Sequence, residues 1–250
     1  MPNSVEVSII FPCFNSSNTI SQSIHSVLNQ TYENWELIII DDFSYDNTFN
    51  IINEFATKDH RIVVIKNNRN MGVAFTRNTG IDRASGKFIS FLDSDDYWSK
   101  NKLEVQLGIM IKNNYNLTFT SYYRVDINDK IISKVSIYQK NIGFSDLLKG
   151  NVIALSSSMI CSDIVKKFSF KKVGHEDYLF WLNILQKPII GYSINSFLTY
   201  YRVHHNSLSG NKLKAVRYTW NIYRNHLKFS YLKSLYYFVI HIYNSIKKRF

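Results

Sequence analysis

The chain predicts an α/β fold on a mainly parallel sheet flanked by helices, and three observations carry that reading. From Val5 to Leu92, short β-branched and aromatic runs alternate with stretches of helical periodicity. Such strand–helix–strand units have right-handed crossovers and make parallel sheets. Two of the strand-like runs end abruptly in acids, Asp41-Asp42 and Asp93-Ser94-Asp95-Asp96. The excess charge is confined to one end: of 30 Lys+Arg and 19 Asp+Glu, residues 1–177 hold 19 of each, and residues 178–250 hold 11 basic residues and no acid.

Taken in order, Val5–Phe11 is a strand closed by Pro12 and the polar loop Asn15-Ser16-Ser17-Asn18, which offers helix N-caps. Ile20, Ile24, Val27 and Leu28 then recur at helical spacing as far as about Gln30. Glu36–Ile40 is the second strand. A helix with Ile51, Ile52 and Phe55 on one face leads to a third strand near Arg61–Lys66. A helix headed by Gly72 and running to about Ala84 leads to the fourth, Lys87–Leu92. Tyr97-Trp98 reads as a turn before a helix that buries Leu103, Leu107 and Met110 or Ile111. Asn128-Asp129 is a turn signal between strands Tyr122–Asp126 and Lys130–Val135. Val152–Ile160 is a further strand, and its Ser156–Ser158 run reads as filler rather than as a nucleophile.

The acids are the chemical signal. Parallel strands end on one edge, so Asp41, Asp42, Asp93, Asp95 and Asp96 are expected to gather at one rim, where open α/β sheets bind ligands. Clustered carboxylates need a cation or a proton, and Asp-x-Asp supplies hard oxygens of the kind Mg²⁺ or Mn²⁺ takes. For a lone Asp-x-Asp a solvated acidic turn is the lesser alternative; two acidic strand ends in one crevice favour a site further. The first loop lacks the glycines of a dinucleotide fold, and no P-loop is present. A metal-bound phosphate ligand remains. A third acidic pair, Glu176-Asp177, opens a helix, where acids are common for their own sake. Leu198–Ser209 gathers Arg202, His204 and His205 with hydroxyls, a composition suited to phosphate.

Length allows one sizeable domain, or one with an appendage. Cys13 and Cys161 are the only cysteines and lie in apolar surroundings, so no disulfide framework is expected and the chain reads as cytoplasmic. The N-terminus has neither the basic nor the apolar region of a secretory signal, and no apolar run reaches the length of a membrane span.

In order and spacing, several stretches resemble the signature of family 2 glycosyltransferases of the GT-A fold, which would make the sheet Rossmann-like. They are Val7–Asn15, Ser26–Tyr32, Ile40–Thr48, Asn70–Gly80, Leu92–Asp96, Glu176–Tyr178 and Tyr201–His204. The resemblance covers roughly residues 5–210, so a transferase domain over 1–210 and a basic helical extension over 211–250 are expected. It implies nucleotide contacts from Pro12, Asn15, Asp41, Asp42, Arg77 and Ser94, with Asp42 on the uracil edge and Arg77 near the diphosphate. It implies Mn²⁺ or Mg²⁺ on Asp93 and Asp95, joined by His204, with Asp95 the more direct ligand. One acid of Glu176-Asp177 would be the catalytic base, Asp177 first.

The implied reaction is inverting sugar transfer from a nucleotide diphosphate sugar, UDP-linked by preference, to a hydroxyl of a glycan or lipid-linked acceptor, as in bacterial surface polysaccharide synthesis. A nucleotide-sugar binding module without turnover and a nucleotidyltransferase are the competing readings; the second would want a Gly-rich loop with an early basic residue, which is missing. Residues 211–250 carry nine Lys or Arg, no acid and many aromatics, with Leu235, Val239, Ile242 and Ile246 at helical spacing. They are expected to lie on an anionic membrane surface at the inner face of the plasma membrane; packing on the domain or on a second copy ranks next, and nucleic acid is not expected.

Overall fold

A computed structural model of the chain describes residues 5–203 and 212–247. Among these residues ten strands form one sheet, in the order β3-β2-β1-β4-β9-β6-β10-β5, with β5 (Tyr97–Trp98) at one edge, β7 (Ile131–Val135) paired to β6 and β8 (Asn141–Ile142) to β10. The first half matches the expected crossovers: β1 (Val7–Cys13), β2 (Trp35–Asp41), β3 (Ile62–Lys66) and β4 (Phe88–Phe91) are all parallel. Their connections are α1 (Ile20–Leu28), α2 (Thr48–Lys58) and α3 (Val73–Arg83). Beyond β4 the sheet is mixed, and two short helices, α5 (Phe144–Leu147) and α6 (Ser162–Val165), lie in its connections. β9 (Ser158–Cys161) runs antiparallel between β4 and β6 (Leu117–Val125), while β10 (Gly191–Arg202) is parallel to β6.

Three local expectations change. Pro12 does not close the first strand but lies inside β1. β4 pairs only with Val7–Ile10, so on that side Pro12 sits where no ladder donor is required. Tyr97-Trp98 is not a turn but a short strand, β5, antiparallel to β10, with Tyr97 stacked on Tyr200 at 4.5 Å. In 152–160 only the end is strand; Leu155–Ser157 is a 3-10 turn that places the serines under the acidic loop.

Period-two alternation splits the core into two layers. Ile9, Phe11, Leu37 and Ile39 face α1 and α4 (Lys102–Asn113), and Ile10, Ile38, Ile40 and Phe91 face α3 and α7 (Glu176–Leu185). α3 rides close to the sheet because Gly80 has no side chain: a Cβ there would lie 2.6 Å from Ile10 Cγ2.

The C-terminal segment comprises α8 (Lys212–Asn221), a π-helical turn (Ile222–His226) and α9 (Tyr231–Lys247). The expected boundary near 210 lies outside the described residues. Past it, Ile222 and Tyr223 are fully buried in the core layer that holds Tyr178 and Leu147. The Tyr223 hydroxyl meets that of Tyr178 at 2.8 Å and donates to Leu148 O at 2.7 Å. α9 buries Ser234 and leaves Leu232, Leu235, Tyr236, Val239 and Tyr243 exposed. At 100° per residue these five form one outward stripe. Of the stripe expected from sequence, Leu235 and Val239 belong to it and Ile242 is half-buried; the Ile246 side chain lies outside the description.

Candidate active site

A cavity of about 710 Å³ opens at the C-terminal ends of β1, β2 and β4, within the range of small-ligand sites. Pro12, Asn15, Asp42, Arg77, Asp93, Ser94 and Asp95 all line it. The polar run before α1 builds one wall. Asn15, at φ 48°, donates its N–H to Ser44 Oγ at 3.0 Å and accepts from the Tyr45 N–H through Oδ1 at 2.9 Å, so the loops after β1 and β2 are stitched together. α1 then holds the acidic loop: Thr19 Oγ1 and Ser23 Oγ both donate to Ser94 O, at 2.8 and 3.0 Å, and the Ser16 and Ser94 hydroxyls meet at 2.7 Å.

The acids do not share one role. Asp93 forms an ion pair with Arg77 Nη2 at 2.7 Å. Burial opposes charge on Arg77, but the Asp93 carboxylate, with Asp177 and Glu176 farther off, holds its pKa above the ordinary value. Arg77 Nε is buried and has no hydrogen-bond partner, a donor left over at the cavity wall. Asp95 lines the cavity, and its carbonyl accepts from Arg202 Nε at 2.9 Å.

Asp96, expected at the rim, is 1% exposed and turned inward. It accepts from Ser156 Oγ at 2.5 Å and from the Arg202 N–H at 2.9 Å, while Ser156 Oγ accepts the Asp93 N–H at 3.2 Å. Burial, and then the charges of Asp95 and Asp93, push its carboxyl well above the usual range. It is therefore an anchor of the loop and not a rim ligand.

Asp41 is likewise withdrawn. It is fully buried and accepts from the Ser44 backbone and hydroxyl, closing the turn after β2; it does not line the cavity where a nucleotide contact was expected. Asp42 does line it. Asn67 Nδ2 (2.7 Å) and the N–H groups of Met71 (2.8 Å) and Gly72 (2.8 Å) converge on its carboxylate. Gly72, at φ 86°, takes the left-handed turn that aims its N–H there and starts α3.

Glu176 and Asp177 form the first turn of α7, and Asn151 Nδ2 donates to Asp177 Oδ2 at 3.1 Å. His204 lies outside the described residues, as do His205 and Asn206. Among the described residues no three Asp, Glu, His or Cys side chains cluster as a metal cage. Two carboxylates spaced Asp-x-Asp at a cavity edge still fit Mg²⁺ or Mn²⁺, which is commonly held by one or two carboxylates together with ligand phosphates.

Sequence reasoning missed the supports: Ser156, Arg202 as a clamp, Asn151, and the Thr19–Ser23 contacts. A serine among serines has no signature in sequence until the 3-10 turn brings Ser156 to Asp96. The one signal the sequence offers for these supports is the polarity at the start of α1, which capping alone also explains.

The sequence model described as Glycosyl transferase family 2 matches residues 8–174. A curated relative, the Escherichia coli "UDP-Glc:alpha-D-GlcNAc-diphosphoundecaprenol beta-1,3-glucosyltransferase WfgD", is 40% identical over 243 residues, covering 97% of this chain and 94% of its own. Among solved structures, S. aureus TarS 1-349 in complex with UDP-GlcNAc superposes with a TM-score of 0.74 at 18% identity over 87% of this chain and 65% of that one. The mannosyltransferase PcManGT from Pyrobaculum calidifontis, in complex with GDP-Man and Mn²⁺, gives 0.70 at 12% identity over 92% of this chain and 66% of that one. The chain thus spans about two-thirds or slightly less of these solved chains, and at such identities they bear on the fold alone. With the family match over most of its length, a near full-length relative and a sheet of the same architecture, the chain belongs to glycosyltransferase family 2.

Proposed function

We propose that this glycosyltransferase moves a sugar from a UDP-sugar to a hydroxyl of a glycan or lipid-linked acceptor, with inversion at the anomeric carbon and with Mn²⁺ or Mg²⁺ bound, in the assembly of a bacterial surface polysaccharide. The observation that carries this reading is the convergence of Asp42, Arg77, Asp93 and Asp95 on one cavity at the strand ends. WfgD's name specifies a UDP-glucose donor and a diphosphoundecaprenol-linked acceptor. At 40% identity over nearly the whole chain, that relative favours turnover of a uridine donor over a binding module.

In this reading Pro12, Asn15 and Asp42 bound the nucleoside end, and Ser94 the wall beside the phosphates. Asp95, with Asp93, would hold the cation, which when bound offsets the charge that develops on the departing diphosphate. Arg77 adds a fixed positive charge at the same place, positioned before reaction by Asp93. Asp177, or Glu176 beside it, takes the proton of the acceptor hydroxyl as that oxygen forms its bond to the anomeric carbon. The bond from that carbon to the phosphate oxygen breaks, and UDP leaves from the opposite face. His204 is proposed to join the metal site.

The enzyme is further proposed to sit on the inner face of the plasma membrane through 211–250. Among the described residues no helix is long and apolar enough to cross a membrane. The exposed stripe of α9, in a segment without acids, suits an anionic lipid surface.

Asp95→Ala tests the core of the reading. It should abolish transfer, measured as UDP release from UDP-glucose, and weaken UDP binding, while circular dichroism stays native because a cavity-edge carboxylate supports no core. Transfer that survives both Asp95→Ala and EDTA rules the metal assignment out.

A further inference from the structure

A second cavity, of about 560 Å³, lies on the C-terminal half of the molecule, lined by Ser136, Tyr138, Gln139, Asp146, Lys149 and Asn244 together with Gly150 and Val152. One link ties it to Asp177: Asn151, between the lining residues Gly150 and Val152, donates to Asp177 Oδ2 at 3.1 Å. The carboxylate is thus one hydrogen bond from the wall of this cavity, with one oxygen oriented by an amide.

The second cavity's chemistry is that of a hydroxyl-rich ligand. Gln139, Ser136, Asn244 and Asp146 offer amide, hydroxyl and carboxylate groups of both hydrogen-bonding senses. Tyr138, 79% exposed, presents a ring face on which the C–H face of a sugar can lie. Lys149 is half exposed at the edge, its ammonium 3.8 Å from Asp146 and within reach of a phosphate. The volume suits one or two sugar rings. α9 forms part of the wall: Asn244 Nδ2 donates to Lys149 O at 2.9 Å, and the outward stripe of the same helix lies on its exposed side.

We propose that this second cavity binds the acceptor saccharide, its reacting hydroxyl toward Asp177 and its diphosphate-lipid end toward α9. The proposal rests on the reading of Asp177 as base and of the acceptor as lipid-linked. It assigns α9 a second task, because the helix that would meet the lipid surface also closes the site where the lipid's head is held.

A photoreactive N-acetylglucosaminyl diphosphate with a short alkyl chain, added to the full chain with UDP and irradiated, tests it by peptide mapping. Label in residues 136–152 or at Asn244, displaced by the unlabelled compound, is expected. Label mapping elsewhere, or no displaceable label, overturns the proposal. Ser136→Trp and Gln139→Trp, which fill the cavity, should raise the acceptor KM roughly tenfold or more with UDP binding and slow acceptor-independent hydrolysis unchanged; an unchanged acceptor KM is equally fatal. Labelling is read without turnover, so Asp177→Asn should keep it. If the base is misassigned the label stays in place, and if the cavity is misassigned the kinetic effect of Asp177→Asn stays in place.

Discussion

Two residues next to each other in sequence, Glu176 and Asp177, are separated by what holds them. Asp177 receives a side-chain amide from Asn151 that fixes its carboxylate. If Asp177 is the base proposed above, Asp177→Asn keeps the shape and removes the proton acceptor, so kcat should fall by a factor on the order of 10²–10⁴ with donor binding little changed. Steady-state UDP release, with UDP affinity by calorimetry, reads both. If Glu176→Gln produces the fall and Asp177→Asn does not, the roles are exchanged.

A different residue-scale effect comes from Lys102, fully buried with Nζ 3.0 Å from Ser90 Oγ and 3.9 Å from the Trp98 ring centroid. Burial pushes its pKa well below the ordinary 10.5. Between the lowered value and 10.5 the unfolded chain binds one proton more than the native one, so stability rises with pH across that window and levels off above it. Lys102→Met should remove that part of the rise, seen as the difference between urea unfolding curves of the two proteins from neutral pH to about 10. Parallel pH profiles would show that Lys102 stays charged in the fold. Helical spacing in the sequence marks Leu103, Leu107 and Met110 or Ile111 as buried, of which Met110 is and Ile111 is not, and gives no hint of Lys102, because burial of a lysine depends on the sheet it meets.

At the scale of elements, the first four strands and their helices were legible because each carries its own periodicity and each crossover is local. Mixed pairing beyond β4 was not, since β9 joins β4 and β6 across long loops and its four residues show no distinctive pattern. The same distance hid the clamp at the end of β10. Arg202 donates to the carbonyls of Asp95, Asp126 and Ile127, bonds Gln22 and pairs with Asp129 at 2.8 Å, so one side chain ties the acidic loop to the β6–β7 turn, whose Ile127 lines the first cavity. Arg202→Met keeps the stem and leaves these acceptors unmet. It should cost about 1–3 kcal/mol in urea unfolding for each buried group left unsatisfied. It should also raise the donor KM, because both loops around the cavity loosen. A donor KM equal to wild type, with stability lost, would make the clamp purely structural.

At the scale of the molecule, charge is segregated: residues 1–177 balance their acids and bases, and all the excess lies from residue 178 onward. Composition made that legible, but not how the segment divides its two faces. Tyr223 and Ile222 enter the core, so ending the chain near Ser209 would strip a buried layer as well as any lipid contact. The outward stripe can be changed by itself. Leu232→Ser, Tyr236→Ser and Val239→Ser together replace only side chains that are more than half exposed, at 78%, 60% and 58%. If α9 lies on the membrane, wild type should sediment with anionic vesicles and be released by salt, since each basic residue near such a surface contributes roughly 1 kcal/mol that screening removes. The triple variant should lose most of this binding, because its remaining charge holds it only by a screened, long-range attraction with no apolar area buried in the headgroup boundary. Transfer to a water-soluble acceptor should be unchanged, which separates a fault in docking from a fault in catalysis. Equal sedimentation of wild type and variant would move the lipid contact off this helix.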